Sequence, residues 1–252
     1  MPKASTAVSL TDDLRLGSTP VVLAQDRTLP VVDALAGLFL GAGLQQGSTV
    51  EVEGTAAVSL AVALTVGVTS SNRWVAAVGL PELGSSAAVD LGAQFQRWAF
   101  VDWPKNQAAE VLYALMGAVD LILVGPDIRM RANHGRKIAA RMRERGTSII
   151  TVGDASRCNL QPSLRLRINR TEWTGLQRGH GQLASRKVEI ELVNRNGESS
   201  HHRQLLWLPD SQGHLSVVKQ DQDNERIGKS ESCSRGEQKI WADLDEQIPW
   251  AS

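Results

Sequence analysis

The chain has 252 residues, with 27 basic and 27 acidic side chains and a formal charge of zero. That balance excludes a protein drawn as a whole to nucleic acid or to an anionic membrane, and leaves such contacts to local patches. Its two cysteines, Cys158 and Cys233, lie far apart without a C-x-x-C pair, which argues against a disulfide framework and for a reducing compartment.

The first thirteen residues, M-P-K-A-S-T-A-V-S-L-T-D-D, have no long apolar core and meet acids early, unlike a secretory signal. Ala56–Val68, the longest apolar stretch, is interrupted by Ser59 and Thr65 and is too short to cross a bilayer. A soluble cytoplasmic protein is the expectation. Residues 1–28 contain Gly17 and Pro20 in a mixed run and read as a weakly ordered lead-in. Leu29–Gly47 holds a short apolar helix with several glycine breaks. Thr49–Glu53, T-V-E-V-E, alternates as a half-buried strand does.

Gly54 then turns the chain into an Ala/Val/Leu run that suits a buried helix. Strand, glycine turn and helix in succession is a frame for phosphate, because backbone N–H groups and the helix dipole converge there. A working phosphate loop reads G-x-x-x-x-G-K-[ST], the lysine reaching the phosphates and the hydroxyl holding Mg²⁺. Here the frame is degenerate. Gly54, Thr55 and Ser59 remain, but no second glycine follows and no lysine lies between Arg27 and Lys105. No bound cofactor is expected.

Trp74–Val78 reads as a short apolar strand, Ala87–Gln96 as a helix and Trp98–Asp102 as another strand. Ala108–Met116 is helical, and Gly117–Gly125 is a strand that is apolar apart from Asp120. Arg136–Arg145 forms a basic helix closed by Gly146, followed by a buried strand at Thr147–Val152. Helices alternating with apolar strands imply an α/β fold with a mostly parallel sheet covered on both faces. After Asp154 the pattern changes. Leu164–Ile168, Lys187–Val193 and His202–Trp207 alternate, with Gly175, Gly179 and Gly181 between the first two, and read as antiparallel strands extending the sheet. The core is therefore placed at residues 29–209, a disordered polar linker at 210–239 and an apolar tail at 240–252.

In that order the elements resemble the core of RecA-family recombinases. L-P-V-V-D-A-L…G-A-G-L-Q-Q-G-S-T-V-E-V-E-G resembles the segment entering the phosphate loop, and G-A-V-D-L-I-L-V the strand that ends in the Walker B aspartate. L-R-L-R-I and K-V-E-I-E-L resemble the closing antiparallel part. The resemblance puts the magnesium-linked aspartate at Gly125, with Asp127 two residues on and available as a helix cap. The catalytic glutamate should follow Val78 closely, and only Glu82 is available, beside Pro81. Phosphoryl transfer rests on positioning and electrostatics, so loss of these groups implies a protein that is not an enzyme. The segments in place of the two DNA-binding loops, Pro126–Gly135 and Asp154–Ser163, are short.

Among RecA-like proteins with such decay, the chain is most similar to the ImuA group, in particular its short actinobacterial ImuA-prime form. That resemblance implies an accessory factor of the SOS response to DNA damage, acting in translesion synthesis and SOS mutagenesis. Its partners would be an ImuB-like Y-family polymerase homologue and, indirectly, an error-prone C-family DNA polymerase; RecA and DNA are further candidates. The related alternatives are a SulA-like cell-division inhibitor and a DNA-dependent ATPase of the RecA family.

The densest charge lies at Arg129–Arg145, where Arg129, Arg131, Arg136, Lys137, Arg141 and Arg145 are candidates for phosphate contact with DNA. The alternative is a solvated face complementing the helix's own C-terminal dipole. In the tail, Trp241, Leu244, Ile248 and Trp250 form a candidate protein–protein docking motif, the alternative being that it folds back on its own domain. His201 and His202, adjacent on a strand, point to opposite faces and do not easily share a metal, and no metal site is expected. Trp74, Trp98 and Trp103 fall at strand ends and read as core residues rather than base-stacking platforms.

Overall fold

The computed structural model describes residues 28–39, 43–177, 180–194 and 199–218. The described chain through Ser216 belongs to one compact unit; of a second unit, Val217–Ser252, only residues 217 and 218 are described. The lead-in before Thr28 and the apolar tail at 240–252 lie outside the described residues.

The chain opens with β1 (Thr28–Leu29), α1 (Asp33–Ala36) and β2 (Leu44–Gln45), β1 and β2 pairing antiparallel as a small separate ribbon. The main sheet begins with β3 (Thr49–Glu53), followed by α2 (Ala57–Ser70), β4 (Val75–Val78), α3 (Ser85–Asp90), β5 (Trp98–Val101), α4 (Ala108–Leu115), β6 (Leu121–Val124), α5 (Ala132–Arg145) and β7 (Ser148–Val152). Three longer strands close it: β8 (Leu164–Gln177), β9 (His180–Asn194) and β10 (Ser199–Trp207). Their order across the sheet is β10-β9-β8-β3-β7-β6-β4-β5. All neighbours from β8 to β5 run parallel, whereas β9 runs antiparallel to both β8 and β10.

Period-two alternation sorts the strand side chains into two cores. Val75, Ala77, Leu121, Leu123, Ile150 and Val152 pack on the side of α2. Ala76, Val78, Ile122, Val124 and Ile149 pack with Leu112 of α4 and with Ile138 and Met142 of α5. Helix α2 is buried nearly all round, 11 of its 14 residues, which explains its lack of a polar stripe. Thr65 and Thr69 are tolerated inside it because their hydroxyls donate to the Val62 and Thr65 carbonyls at 2.6 and 3.1 Å. Gly67 is needed where the helix meets Pro30, since an added Cβ would lie 2.5 Å from its carbonyl oxygen.

Several boundaries differ from the sequence expectation, each for a local reason. Strand β3 is buried rather than half-buried, because Glu51, only 3% exposed, pairs with Arg165 of β8 at 2.9 Å. Glu53 meets Arg167 at 3.5 Å, so the T-V-E-V-E and L-R-L-R-I patterns face each other in register. The helix expected at Ala87–Gln96 is α3, six residues long; the chain turns at Gly92, φ +98°. Strand β6 starts at Leu121 rather than Gly117, whose φ of +95° belongs to a turn.

Helix α5 starts at Ala132, four residues before the expected Arg136, and its N-cap is Arg131, not Asp127. Its N-H-G triplet reads as a loop in sequence. Gly135 is there because the helix crosses Asn159 so closely that a Cβ would lie 2.4 Å from that carbonyl oxygen. The β8–β9 hairpin is far longer than its alternating cores suggested: Gly175 (φ +92°) and Gly181 (φ +112°) lie inside the strands rather than between them. Residues 210–216, assigned to the linker from their polarity, form a turn. The Asp210 carboxylate accepts from the Gln212 and His214 backbone N–H groups at 2.9 and 3.0 Å.

Candidate functional site

The Gly54 loop, where the sequence expectation places a degenerate phosphate loop, is packed by its own chain. At Gly54, φ +115°, an added Cβ would lie 2.8 Å from both Cβ and the carbonyl oxygen of Ile168 on β8. The Thr55 hydroxyl shares a 2.9 Å hydrogen bond with that of Thr171, also on β8. Ser59, in the first turn of α2, accepts a 2.7 Å bond from a guanidinium Nη2 of Arg186 on β9. Arg186 Nε donates to the Leu208 carbonyl at 2.6 Å, and the guanidinium lies 5.0 Å from the Trp173 ring centroid. Burial lowers its pKa from the ordinary arginine value. A cation held at the positive end of a helix is electrostatically unfavourable, so packing and hydrogen bonds hold it there. Sequence reasoning missed Arg186: it sits more than a hundred residues from the loop, and only the hairpin register brings it there.

The strand ends beside this loop carry glycines where the RecA resemblance places carboxylates. Gly79 follows β4 and Gly125 follows β6, and an added Cβ at Gly125 would lie 1.8 Å from the Gly79 carbonyl oxygen. Gly79 itself has φ +71°, and a Cβ there would come within 2.6 Å of Ile128. Backbone occupies the space a metal-linked aspartate would need. Glu82 lies further out, exposed at the rim.

At the carboxyl ends of β4, β5 and β6 the chain leaves a cleft of about 1100 Å³. Open α/β sheets hold ligands at this edge. Its walls carry Trp103, Lys105, Arg129, Arg131 and His134, with Glu82, Asp102 and Asp127 on the same cleft and Val58 of α2 at its border. Trp103 is 73% exposed, correcting its expected place in the core; Trp74 is 41% exposed, and only Trp98, at 7%, is a core residue. Lys105 adopts φ +48°, a left-handed conformation uncommon for a side chain of its kind.

The loop carrying Arg129 and Arg131 is sewn to the loop after β7. Met130 N–H donates to the Arg157 carbonyl at 3.0 Å, Asn159 Nδ2 to the Met130 carbonyl at 2.7 Å and Arg157 Nη1 to the Pro126 carbonyl at 3.0 Å. Asp154 caps the second loop, and the hydrogen bonds it accepts from Ser156 hold its carboxyl below the usual range. Buried Cys158 donates to the Ile128 carbonyl at 3.3 Å, and burial pushes its thiol up to about 11, making it a packing group rather than a nucleophile.

The six basic candidates therefore separate. Arg129 and Arg131 line the cleft on the braced loop, and Arg136 and Lys137 are exposed on the first half of α5. Arg141 is committed to α4, 4.1 Å over the Tyr113 ring and donating to its hydroxyl at 3.3 Å, and Arg145 packs beside Gly117. Trp241, Leu244, Ile248 and Trp250 lie outside the described residues, as do the side chains of His201 and His202. Among the described residues no group of three or more His, Cys, Asp or Glu could hold a metal ion, and no helix is long and apolar enough to cross a membrane.

Comparison with known proteins agrees with this architecture. Residues 37–157 match the family described as the MT3502 N-terminal domain, a span that takes in β3 to β7 and stops before β8. Over 98 residues the chain is 34% identical to the uncharacterized protein Rv3395c of Mycobacterium tuberculosis (strain ATCC 25618 / H37Rv), covering 38% of this chain and 48% of that protein. The chain thus spans about half the length of the curated relative it matches. Among solved structures it resembles the RadB recombinase (TM-score 0.50, 15% identity, 74% of this chain and 97% of that one). It also resembles the flagellar accessory protein FlaH from Methanocaldococcus jannaschii (TM-score 0.50, 13% identity, 77% and 99%). The fold is a RecA-like α/β core, with a mostly parallel central sheet covered by helices and extended by antiparallel strands.

Proposed function

We propose that this RecA-like protein has exchanged phosphoryl transfer for binding, and serves as an accessory factor of the DNA-damage-inducible mutasome. The observation that supports this reading most is the contact between Gly79 and Gly125, whose backbones fill the positions of the catalytic carboxylates. The Arg186 contact at Ser59 supports it from the other side of the loop. With neither lysine nor metal ligand in place, positioning and charge stabilisation of a transferring phosphoryl group are lost together. What remains is a rigid scaffold. In this reading it engages an ImuB-like Y-family partner, through it an error-prone C-family polymerase, and touches DNA through Arg129, Arg131, Arg136 and Lys137.

The test is affinity capture of the tagged full chain from DNA-damaged cells, with a parallel assay of Mg-ATP hydrolysis. A Y-family polymerase homologue and a C-family polymerase should be recovered, and hydrolysis should stay at background with or without DNA. Division proteins alone in the capture would replace the mutasome reading with a SulA-like one. DNA-stimulated hydrolysis would overturn the non-catalytic part.

A further inference from the structure

The β8–β9 hairpin outruns the sheet that carries it. Strand β3 pairs with β8 no further than Arg167, and β10 with β9 no further than Lys187. One residue beyond, the Arg186 backbone N–H donates to the Pro209 carbonyl at 2.8 Å and its carbonyl accepts from the Leu208 N–H at 2.7 Å. From Ser185 back to Gly181, nothing among the described residues pairs with the outer edge of β9. There β8 and β9 run on as a two-stranded ribbon, Thr174 opposite Ser185 and Leu176 opposite Gly181. A ribbon of two strands is marginal in water. This one leaves Leu176 60% and Leu183 52% exposed. Sheet edges in water are normally guarded by charge or proline. The strands leading to the ribbon follow that rule, with Arg165, Arg167, Arg170 and Glu172 on β8 and Arg186, Lys187, Glu189 and Glu191 on β9. Between Trp173 and Ser185 the guard is missing: the sequence has no Asp, Glu, Lys or Pro, and its only ionisable side chains are those of Arg178 and His180.

We infer that this ribbon is a self-association arm, the edge Gly181–Ser185 of β9 pairing antiparallel with the same edge of a second copy. Around a two-fold axis a strand meets itself, so a charge near the axis faces its own like and repels it. Gly181, Gln182, Leu183, Ala184 and Ser185 carry none. The next residue, Arg186, is held inward by Ser59 and the Leu208 carbonyl. A strand from a different protein makes no such demand, and a charged edge would serve it equally well. Two ribbons joined in this way make a four-stranded sheet, past the size at which a ribbon is unstable alone, with Leu183 of both copies close to the axis. The base of the arm is already fastened, Thr171 to Thr55 and Arg186 to Ser59, so little order has to be created on pairing. The contact is isologous and closes at two copies. It needs neither the cleft nor any mutasome partner, so its failure and the failure of the proposed function are separate results.

The experiment is sedimentation equilibrium of the full chain, from below one to tens of micromolar. The monomer has a mass of 27.3 kDa, and the average mass should climb with concentration to twice that value and stop. Leu183→Lys restores the missing guard and should shift the equilibrium roughly tenfold or more toward monomer, while Leu183→Val keeps the dimer. Phe100→Lys, at an exposed position on β5 at the opposite edge of the sheet, should leave the equilibrium unchanged. Both positions are exposed, and far-ultraviolet circular dichroism confirms that each variant is folded. A wild type that stays monomeric, a Leu183→Lys variant that dimerises as well as the wild type, a mass that climbs past two copies, or a dimer lost in Phe100→Lys alone would each overturn the inference.

Discussion

Two neighbouring regions at one edge of the sheet have had opposite fates. At the Gly54 loop, where the sequence points most directly to a ligand, the hairpin of β8 and β9 packs closely: Ile168 and Thr171 meet Gly54 and Thr55, and Arg186 meets Ser59 in the first turn of α2. At the ends of β4, β5 and β6, which the sequence marks by its basic residues rather than by a phosphate loop, a cleft stays open and carries charged side chains without partners among the described residues. The same topology makes both places. What separates them is whether a later segment of chain covers the strand ends. In a RecA-like fold one stretch of the strand ends can thus be covered while its neighbour on the same edge stays open.

The comparison breaks most sharply at the glycine pair that divides the two regions. Gly125→Asp puts a carboxylate where the RecA resemblance asks for one. If the position were merely vacant, the variant would fold normally. With the Gly79 carbonyl oxygen 1.8 Å from the new Cβ, the strand ends must instead separate. Overpacking of this kind costs about 3 kcal/mol or more. A large fall in the urea midpoint, with no gain of Mg-ATP binding, is the expected outcome; a stable variant would show that backbone does not fill the position.

The parallel half of this fold was legible because its elements are short and apolar, and each is punctuated by glycine or a charged run. Val75–Val78, Leu121–Val124 and Ser148–Val152 lie within the strands expected there. The ends were harder, because Gly92 and Gly117 act through backbone conformation and Gly135 through a contact with Asn159, distant in the chain. The long hairpin was under-read for a related reason: glycines inside a bulged strand and glycines in a turn look alike in sequence. The candidate site was less legible still. The basic residues of 129–145 stood out, but which of them are spent on Tyr113 and which line a cleft depends on tertiary packing. Trp103 reads as core until β5 is seen to end before it, at Val101.

Arg186 tests the filled side at smaller amplitude. Arg186→Met keeps an apolar stem against Trp173 and removes the donors to Ser59 and to the Leu208 carbonyl. Hydrogen bonds from a charged donor are worth about 1.5–3 kcal/mol, less whatever is regained by relieving the cation at the start of α2. A net loss of about 1–2 kcal/mol in denaturant unfolding is expected. A variant more stable than the wild type would mean that the helix dipole and desolvation outweigh the two bonds. Arg186 would then be a strained remnant rather than a fastening.

Glu51 gives the smallest effect and the one with a direction in pH. It lies on β3, the strand that leads into the filled loop, and is buried beneath Arg165. Burial raises its pKa above the ordinary value, helped by neighbouring Glu53 and opposed by Arg165. A carboxyl with a raised folded pKa binds its proton more tightly in the native state. Its contribution is therefore fully present below the unfolded pKa of about 4.3 and is lost as the pH climbs through the folded value. Glu51→Gln removes that titration. Unfolding curves taken across the acid range should show the wild type losing stability relative to the variant as the pH rises, with a plateau near neutrality. At the plateau the difference should be within about 1 kcal/mol, because Arg165 is 39% exposed and water can take over its solvation once the pair is gone. If the wild type instead gains on the variant with rising pH, the ion pair outweighs burial. The register of Glu51 against Arg165 would then be a source of stability where the filled loop begins, rather than a tolerated cost.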